Sequence, residues 1–273
     1  MFRRYGRGMP ETFGAADRTD LFHSLHHRDR PLLLPNAWDY TSAAALADAG
    51  FPAVGTTSLG VSAAAGLPDA AGETRDETAA LARRLGRLRI PVSVDLEAGF
   101  STDPQQVAAL AEALAASGVA GINLEDGRGN ALADPAAQAG IITAVKERAP
   151  RLFVNARVDT YWLDLDHEST LARADQYSAA GADGIFVPGL REPEDVRRIA
   201  AAVALPLNVL YMPGGPTVAE FAALGARRIS TGGLLFRAAV AATVDAARAV
   251  HDGRPLPEGI PSYRDIQALV ANL

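Results

Sequence analysis

The stretch PVSVDLEAGF at residues 91–100 decides the fold, because a short apolar strand in it leads directly into acidic residues. Its first half is apolar and β-branched, whereas Asp95 and Glu97 stand at its end. Similar stretches follow at GINLED (121–126) and FVNARVD (153–159). Short runs of this kind, separated by Ala- and Leu-rich helical segments, predict alternating βα units and a parallel sheet.

Eight such runs are spaced along the chain. They are LLLP (32–35), AVGT (53–56), PVSVDL (91–96), GINLE (121–125), LFVNAR (152–157), GIFVP (184–188), LNVL (207–210) and RRIS (227–230). Eight βα units predict an α/β fold closed into a (β/α)₈ barrel of the TIM type. We expect three parts, which are a flexible N-terminal extension at residues 1–18, the barrel at 19–251 and a C-terminal helical segment at 252–273.

Three residue pairs predict where helices begin. Two of them have the spacing of a capping box, and the third places an N-cap residue before a proline in the first helical position. The pairs are Thr74 with Glu77, Thr217 with Glu220, and Asp103 with Pro104.

The composition excludes several classes of function. Lys and Arg number 26 and Asp and Glu 32, so the net charge is −6, and this surplus of acids argues against binding to nucleic acid or an anionic membrane. No apolar run is long enough to cross a bilayer. The chain has no cysteine, which excludes disulfides, thiolate metal sites and cysteine nucleophiles. The first residues lack the apolar stretch of a secretory signal, so we expect a cytoplasmic protein.

Carboxylates at two neighbouring strand ends predict a metal site. The active site of a (β/α)₈ barrel lies at the carboxyl ends of its strands. Asp95 and Glu97 are two residues apart on one strand and are expected to share a face, and Glu125 ends the next strand. Oxygen ligands of this kind suit Mg²⁺, with Mn²⁺ as a substitute. The alternative is three solvated loop acids.

Arg157 is a cation at the end of a central strand. Its planar guanidinium suits a substrate carboxylate or phosphate, and a structural ion pair with Asp159 or Glu125 is a compatible alternative. Trp38 and Asp39, after the first strand, are candidate substrate contacts.

Two glycine-rich segments follow the last two strands. MPGGPT (212–217) and STGG (230–233) stand where many barrels bind phosphate, although tight turns and helix starts explain them at least as well.

Together the strand ends carry the pattern of a known superfamily. The matching segments are LPNAWDYTSAAALADAGF, TTSLGVSAAAGLPD, PVSVDLEAGF, GVAGINLEDG, NARVDTY and GADGIFVPG. Over roughly residues 20–250 the chain resembles the isocitrate lyase / phosphoenolpyruvate mutase superfamily. The resemblance implies a (β/α)₈ barrel, often with the eighth helix exchanged between subunits, in a homodimer or homotetramer. It also implies Mg²⁺ near Asp95, Glu97 and Glu125.

The resemblance also implies roles for individual residues. Asp69 resembles an aspartate on a mobile loop after the second strand, and the amides at Ser58 and Leu59 resemble those that bind the substrate carboxylate. Arg157 resembles the arginine that grips the substrate. Asn208 resembles a substrate-contacting asparagine, and Asn123, which ends the fourth strand, is a further candidate.

The chain departs from the lyases of the superfamily at the catalytic loop. Those lyases carry a Lys-Lys/Arg-Cys-Gly-His loop after the fourth strand, whereas this chain reads DGRGNALADPAAQAG there. Val187 and Pro188 replace the usual glutamate near the end of the sixth strand.

These observations predict a Mg²⁺-dependent carbon–carbon lyase or decarboxylase that acts on a small 2-oxo or 2-hydroxy dicarboxylic acid through an enolate-like intermediate. Candidates for the proton donor are Tyr211, Asp69, His167 and a metal-bound water. The alternatives are a phosphonate mutase or P–C hydrolase, a non-catalytic barrel that binds an oxo-acid, and a structural barrel with incidental acids.

Overall fold

Eight short parallel strands form the centre of the fold in the computed structural model, which describes residues 14–271. The strands are β1 (Leu32–Leu34, continued by Asn36–Ala37), β2 (Val54–Thr56), β3 (Val92–Asp95), β4 (Gly121–Glu125), β5 (Phe153–Arg157), β6 (Gly184–Phe186), β7 (Leu207–Leu210) and β8 (Arg228–Ser230). Each pairs with its sequence neighbour, and β1 also pairs with β8, so the sheet closes on itself. The predicted (β/α)₈ barrel and its eight strands are confirmed.

Helices connect the strands and cover the outside of the barrel. They are α1 (Ala15–Leu25), α2 (Tyr40–Asp48), α3 (Ser58–Ala65), α4 (Arg75–Leu85), α5 (Pro104–Ala116), α6 (Pro135–Arg148), α7 (Thr170–Ala179), α8 (Pro193–Ala202), α9 (Val218–Ala223), α10 (Leu234–His251) and α11 (Tyr263–Ala271). A 3₁₀ turn at His167–Ser169 precedes α7, and a small antiparallel pair, Gly127–Arg128 with Ala131–Leu132, follows β4.

All three predicted helix starts are confirmed, since Thr74, Asp103 and Thr217 are the N-cap residues of α4, α5 and α9. Asp103 accepts a bond from the backbone of α5, with Pro104 in the first position, and Thr217 and Glu220 form the capping box of α9. The capping box at Thr74 is wrong, because the Thr74 hydroxyl donates instead to Glu97 at 2.8 Å and caps nothing in α4.

Asn36 closes the barrel at the point where β1 is interrupted. The first part of β1 pairs with β8 and the second part pairs with β2. The Asn36 side-chain oxygen accepts from the backbone N–H groups of Thr231 and Gly232, both at 2.9 Å, while its nitrogen donates to the carbonyl of Thr56 at 2.7 Å. One buried amide therefore joins three strands.

Helix α1 covers the amino-terminal end of the barrel. Phe22 is fully buried and packs edge-to-face on Phe153, the first residue of β5, with ring centroids 5.3 Å apart. A Cβ at Gly121, the first residue of β4, would come within 2.7 Å of the Phe22 ring, so only glycine fits there. The covered end leaves the carboxyl ends of the strands as the open face.

The predicted extension at residues 1–18 lies largely outside the described residues, and residues 15–18 belong to α1. The C-terminal segment contains α11, which packs on α2. No helix in the described range 14–271 combines the length and the apolar character needed to span a membrane. The cytoplasmic location stays a prediction.

We expect Asn36→Ala to lower the free energy of unfolding by roughly 2–4 kcal/mol, because buried N–H and carbonyl groups on two strands would lose their partner. Urea denaturation followed by circular dichroism measures the change. Asn130→Ala, at an exposed turn residue, is the matched control and should change stability by less than about 0.5 kcal/mol. Equal stability of the two variants would contradict a closing role for Asn36.

Candidate functional site

A cavity of about 160 Å³ opens at the carboxyl ends of the strands. Its volume is below the range typical of sites for drug-sized ligands, so it suits a molecule of a few carbon atoms. Seven of the predicted site residues line it, namely Ser58, Leu59, Asp69, Asp95, Asn123, Glu125 and Arg157. The structure therefore brings most of the predicted site residues together at the carboxyl ends of the strands.

Arg157 lies in the cavity between two carboxylates. Its Nη1 is 2.6 Å from Glu125 Oε2, and its Nε donates to Asp159 Oδ1 at 2.6 Å. The guanidinium carbon lies 5.7 Å from the ring centroid of Trp162 and 5.8 Å from that of Phe186, within cation–π range. Neither ion pair uses Nη2, and no described residue bonds it, so this nitrogen is available to a ligand.

Acidic side chains outnumber basic side chains in this cavity. The lining includes Asp69, Asp95, Glu125 and Asp159, and Arg157 is the one cation among its described residues. Burial raises the pKa of Glu125 to about 8, while Arg157 opposes the rise. Burial also raises the pKa of Asp95 and of Asp159, again against the effect of Arg157. Burial alone would lower the pKa of Arg157, but the carboxylates outweigh burial and raise it.

Asp95 has no ion pair in the described part of the chain. Its two oxygens accept only long bonds of 3.4 Å, from the backbone N–H groups of Ser58 and Glu97. The residue is held in place through its own backbone N–H, which donates to the Thr56 hydroxyl at 2.8 Å. A carboxylate positioned in this way has free lone pairs for a cation.

Glu97 turns away from Asp95, in contrast to the predicted shared face. Strand β3 ends at Asp95, and Glu97 has a left-handed backbone with φ of 50°, so the alternation of a strand no longer applies. The buried Glu97 carboxylate instead accepts from the Thr74 hydroxyl at 2.8 Å and from the Gly72 N–H at 3.2 Å. It therefore fastens the loop that carries Asp69.

The three predicted metal ligands do not converge in residues 14–271, where no group of three His, Cys, Asp or Glu side chains is placed to hold an ion. Asp95 and Glu125 line the cavity, whereas Glu97 does not. The fit to a divalent ion is therefore partial. It rests on the uncompensated acids of the cavity, and the three-carboxylate site stays a prediction.

Trp38 and Asp39 do not line the cavity. Asp39 caps helix α2, since its Oδ1 accepts from the Ser42 N–H at 2.7 Å. Trp38 packs against Phe236, with ring centroids 5.4 Å apart, and lies directly over Gly60. Both residues position the chain beside the site.

Asn208 and Tyr211 also lie outside the lining. Asn208 is fully buried in the barrel, where its Oδ1 accepts from the Ser230 hydroxyl at 3.1 Å. Tyr211 is partly buried and packs on the apolar core. The substrate-binding role of Asn208 and the catalytic role of Tyr211 stay predictions without a contact to the cavity.

Asn36, Asp159 and Trp162 line the cavity but were not among the predicted site residues. Asn36 and Asp159 each follow an apolar strand, which is the signal that identified Asp95. Trp162 lies in a loop without such a signal.

Asp126 is buried next to this region and holds the backbone of Asp159 in place. Its Oδ1 accepts from the Asp159 N–H at 2.8 Å, and its Oδ2 pairs with Arg173 at 3.1 Å.

The two glycine-rich segments separate in the structure. Gly232 and Gly233, from STGG, line the central cavity. MPGGPT instead borders a second cavity of about 680 Å³ beside α8 and α9, away from the acids of the strand ends.

Residues 22–251 match the phosphoenolpyruvate phosphomutase family. An uncharacterised protein of Mycobacterium tuberculosis is 47% identical over 249 residues, which cover 90% of this chain and 95% of the relative. A 2-methylisocitrate lyase of Halalkalibacterium halodurans is 32% identical over 69% of this chain and 65% of its own length. An oxaloacetate decarboxylase of Chromohalobacter salexigens is 32% identical over 84% of this chain and 86% of its own length.

A solved structure of oxaloacetate acetylhydrolase in complex with the product oxalate has the same fold. It superposes with a TM-score of 0.83 at 26% identity, covering 96% of each chain. The resemblance stated from the strand-end motifs is confirmed, as is the prediction of an enzyme related to carbon–carbon lyases. The chain belongs to the phosphoenolpyruvate phosphomutase family, within the isocitrate lyase / phosphoenolpyruvate mutase superfamily.

Proposed function

We propose that the protein is a Mg²⁺-dependent decarboxylase or carbon–carbon lyase that acts on a small 2-oxo or 2-hydroxy dicarboxylic acid. The observation that carries this proposal is the placement of Arg157, which lines a small cavity with acids around it and whose Nη2 is unbonded within the described residues. Its Nε and Nη1 are fixed by Asp159 and Glu125, so the free nitrogen is held ready for a substrate carboxylate.

A second group for a carboxylate lies on the cavity wall, where α3 begins at Ser58, whose N–H makes only a long bond of 3.4 Å to Asp95. The first N–H groups of a helix have no acceptor within the helix and favour a negative charge. Two anion-binding groups around one small cavity support a substrate with two carboxylates.

Asp95 and Glu125 are the residues that would hold a divalent ion, with Asp69 beside them. A bound Mg²⁺ would polarise the 2-oxo group of the substrate as a Lewis acid. The chain itself supplies the binding of the carboxylates, their orientation by Arg157, and a loop that Glu97 fastens and whose Asp69 and Ala70 line the cavity.

The missing catalytic cysteine of the superfamily's lyases favours decarboxylation over cleavage of a hydroxy acid. The described lining contains no histidine, lysine or tyrosine, and the chain has no cysteine. Cleavage of a 2-hydroxy acid requires a group that removes the hydroxyl proton, whereas loss of CO₂ from a 2-oxo acid requires only one later protonation. The oxaloacetate decarboxylase among the relatives supports the same choice.

The test is a panel of 2-oxo and 2-hydroxy dicarboxylic acids with phosphonopyruvate, assayed with Mg²⁺ for release of pyruvate, glyoxylate, CO₂ and phosphate. We expect oxaloacetate to give pyruvate and CO₂ faster than buffer with Mg²⁺ alone. Turnover of phosphonopyruvate only would favour a phosphonate enzyme, and ligand binding without any turnover would favour a binding protein. Either result would contradict the proposal.

On the active substrate, Arg157→Lys should lower kcat/KM about 10- to 100-fold. A hydrogen bond to a charged group contributes about 1.5–3 kcal/mol, and an ammonium cannot serve both acids and the substrate. Arg191→Lys, at an exposed arginine away from the cavity, is the control and should keep the parent rate.

Asp95→Asn should weaken Mg²⁺ binding on the order of 10- to 100-fold in titration calorimetry, because a neutral amide replaces a carboxylate ligand. Asp164→Asn is the matched control, since Asp164 is a solvated acid whose left-handed backbone asparagine also tolerates. If both variants kept the parent affinity, Asp95 would not be a ligand.

A second copy of the chain is the partner that we propose for α10. This 18-residue helix is rich in apolar residues, yet only Ala249 of its described side chains is buried. Val240, Val244 and Val250 are 48%, 43% and 68% exposed. An apolar helix face of this length is normally buried against another surface, and exchange of this helix between subunits would bury it.

We expect light scattering after gel filtration to give a mass of two or four chains. Val240→Glu with Val244→Glu should shift that mass toward a single chain, because charge on the covered face opposes burial. Asp245→Asn, at an exposed acid on the same helix, is the control. A monomeric parent protein would contradict the proposal.

A further inference from the structure

Arg228 lies inside the barrel without a carboxylate partner. It is fully buried on β8, and its Cζ lies 5.9 Å from the ring centroid of Phe22 below it. None of the described acids forms an ion pair with it, although the charge of Asp95 acts on it from farther away. Burial lowers the pKa of Arg228 to about 9, so the guanidinium remains charged at neutral pH. Because barrel interiors are normally packed with apolar side chains, an unpaired charge there needs an explanation.

The hydrogen bonds of Arg228 lead to the floor of the cavity. Its Nη2 donates to Asn123 Oδ1 at 3.1 Å, and its Nε donates to the Ser230 hydroxyl at 3.2 Å. Asn123 and Ser230 both line the cavity. Arg228 therefore contacts the site from beneath through two neutral side chains.

Asn123 would have no fixed orientation without Arg228. Its other partner is Asn155, whose Nδ2 donates to Asn123 Oδ1 at 2.9 Å. A contact between two amides can be reversed by turning both, since each amide offers a donor and an acceptor. Among the described residues no donor bonds Asn155 Oδ1, so no hydrogen bond at that oxygen prevents the reversal. A guanidinium only donates, so Arg228 requires the oxygen of Asn123 to face it.

We propose that Arg228 is a positioning residue, which fixes the amide of Asn123 with its oxygen toward the barrel interior and its nitrogen toward the cavity. Asn123 Nδ2 has no bonded partner among the described residues and is left for a ligand. It serves as a donor to a carboxylate or enolate oxygen of the substrate. This role rests on the proposed function, because a donor at the floor is useful to an anionic ligand.

The first test needs no ligand. In ¹H–¹⁵N spectra of the full chain, the side-chain NH₂ signals of Asn123 are identified by their loss in Asn123→Ala. Arg228→Met should shift these signals or split them into two sets, because the amide can then turn. Arg228→Lys keeps a pure donor and should restore one set. Arg227→Met removes a neighbouring exposed arginine and should leave the signals unchanged. Unchanged signals in Arg228→Met would overturn the proposal.

The second test measures binding of oxalate, a planar dicarboxylate, by calorimetry in the presence of Mg²⁺. Arg228→Met should weaken oxalate binding about 10- to 100-fold, and Arg228→Lys should recover most of the affinity. In the Asn123→Ala background, Arg228→Met should cause little further loss, since both changes remove the same donor. Equal losses in both backgrounds would overturn the proposal. A parent protein that does not bind oxalate would contradict the proposed function, while the spectra would still decide the orientation of Asn123.

Asn123→Asp tests the same geometry if Arg228→Met does not fold. The change keeps the oxygen that Arg228 and Asn155 bind, and it replaces the donor toward the cavity by an acceptor. We expect thermal stability equal to or above that of the parent and a loss of oxalate affinity of about 100-fold or more. A large fall in stability, or oxalate binding as tight as in the parent, would overturn the proposal.

Discussion

Two contacts of 2.6 Å hold Arg157 between Glu125 and Asp159, and the geometry of the site depends on them. A cation in this position offsets part of the repulsion among the carboxylates at the strand ends. It cannot offset all of it, because Asp69 and Asp95 also line the cavity. Burial raises the pKa of Asp95, as expected for an acid whose charge is poorly compensated. The acids of the cavity therefore outnumber its one described cation, and this is the observation behind the proposed divalent ion.

The surrounding fold holds these acids in place through bonds that are not themselves part of the cavity. Asp126 is fully buried, and its carboxylate binds the Asp159 N–H, Arg173 and the Tyr177 hydroxyl, the last at 2.7 Å. Burial raises the pKa of Tyr177, with Asp126 adding to the rise, so the phenol stays a donor. This buried set fixes the backbone after β5, which in turn fixes the partner of Arg157.

Much of this arrangement could be predicted from the sequence, because the alternation of strands and helices is a local pattern and parallel strands end on one face. Asp95, Glu125 and Arg157 were found in that way. The expected shared face of Asp95 and Glu97 was wrong, because Glu97 has a left-handed backbone, with φ of 50°, and tertiary contacts with Gly72 and Thr74 that the strand pattern does not show. Its role as a metal ligand stays a prediction. Asp39 lies outside the cavity lining because it caps α2, and that role depends on where α2 begins.

Arg157 and Arg228 differ in what neutralises them, and that difference separates their roles. Arg157, at the strand ends, is paired with carboxylates that offset its charge. It therefore acts on a ligand mainly through the fixed orientation of its N–H groups. Arg228 has only neutral partners, so its charge acts upward on Asp95 and on the amide of Asn123. Strand alternation contains the signal for it, because Arg228 shares a face with Ser230, and Ser230 ends a strand at the cavity. Arg228, two residues before this strand end, therefore faces the barrel interior. There its N–H groups orient the acceptor oxygens of Asn123 and Ser230.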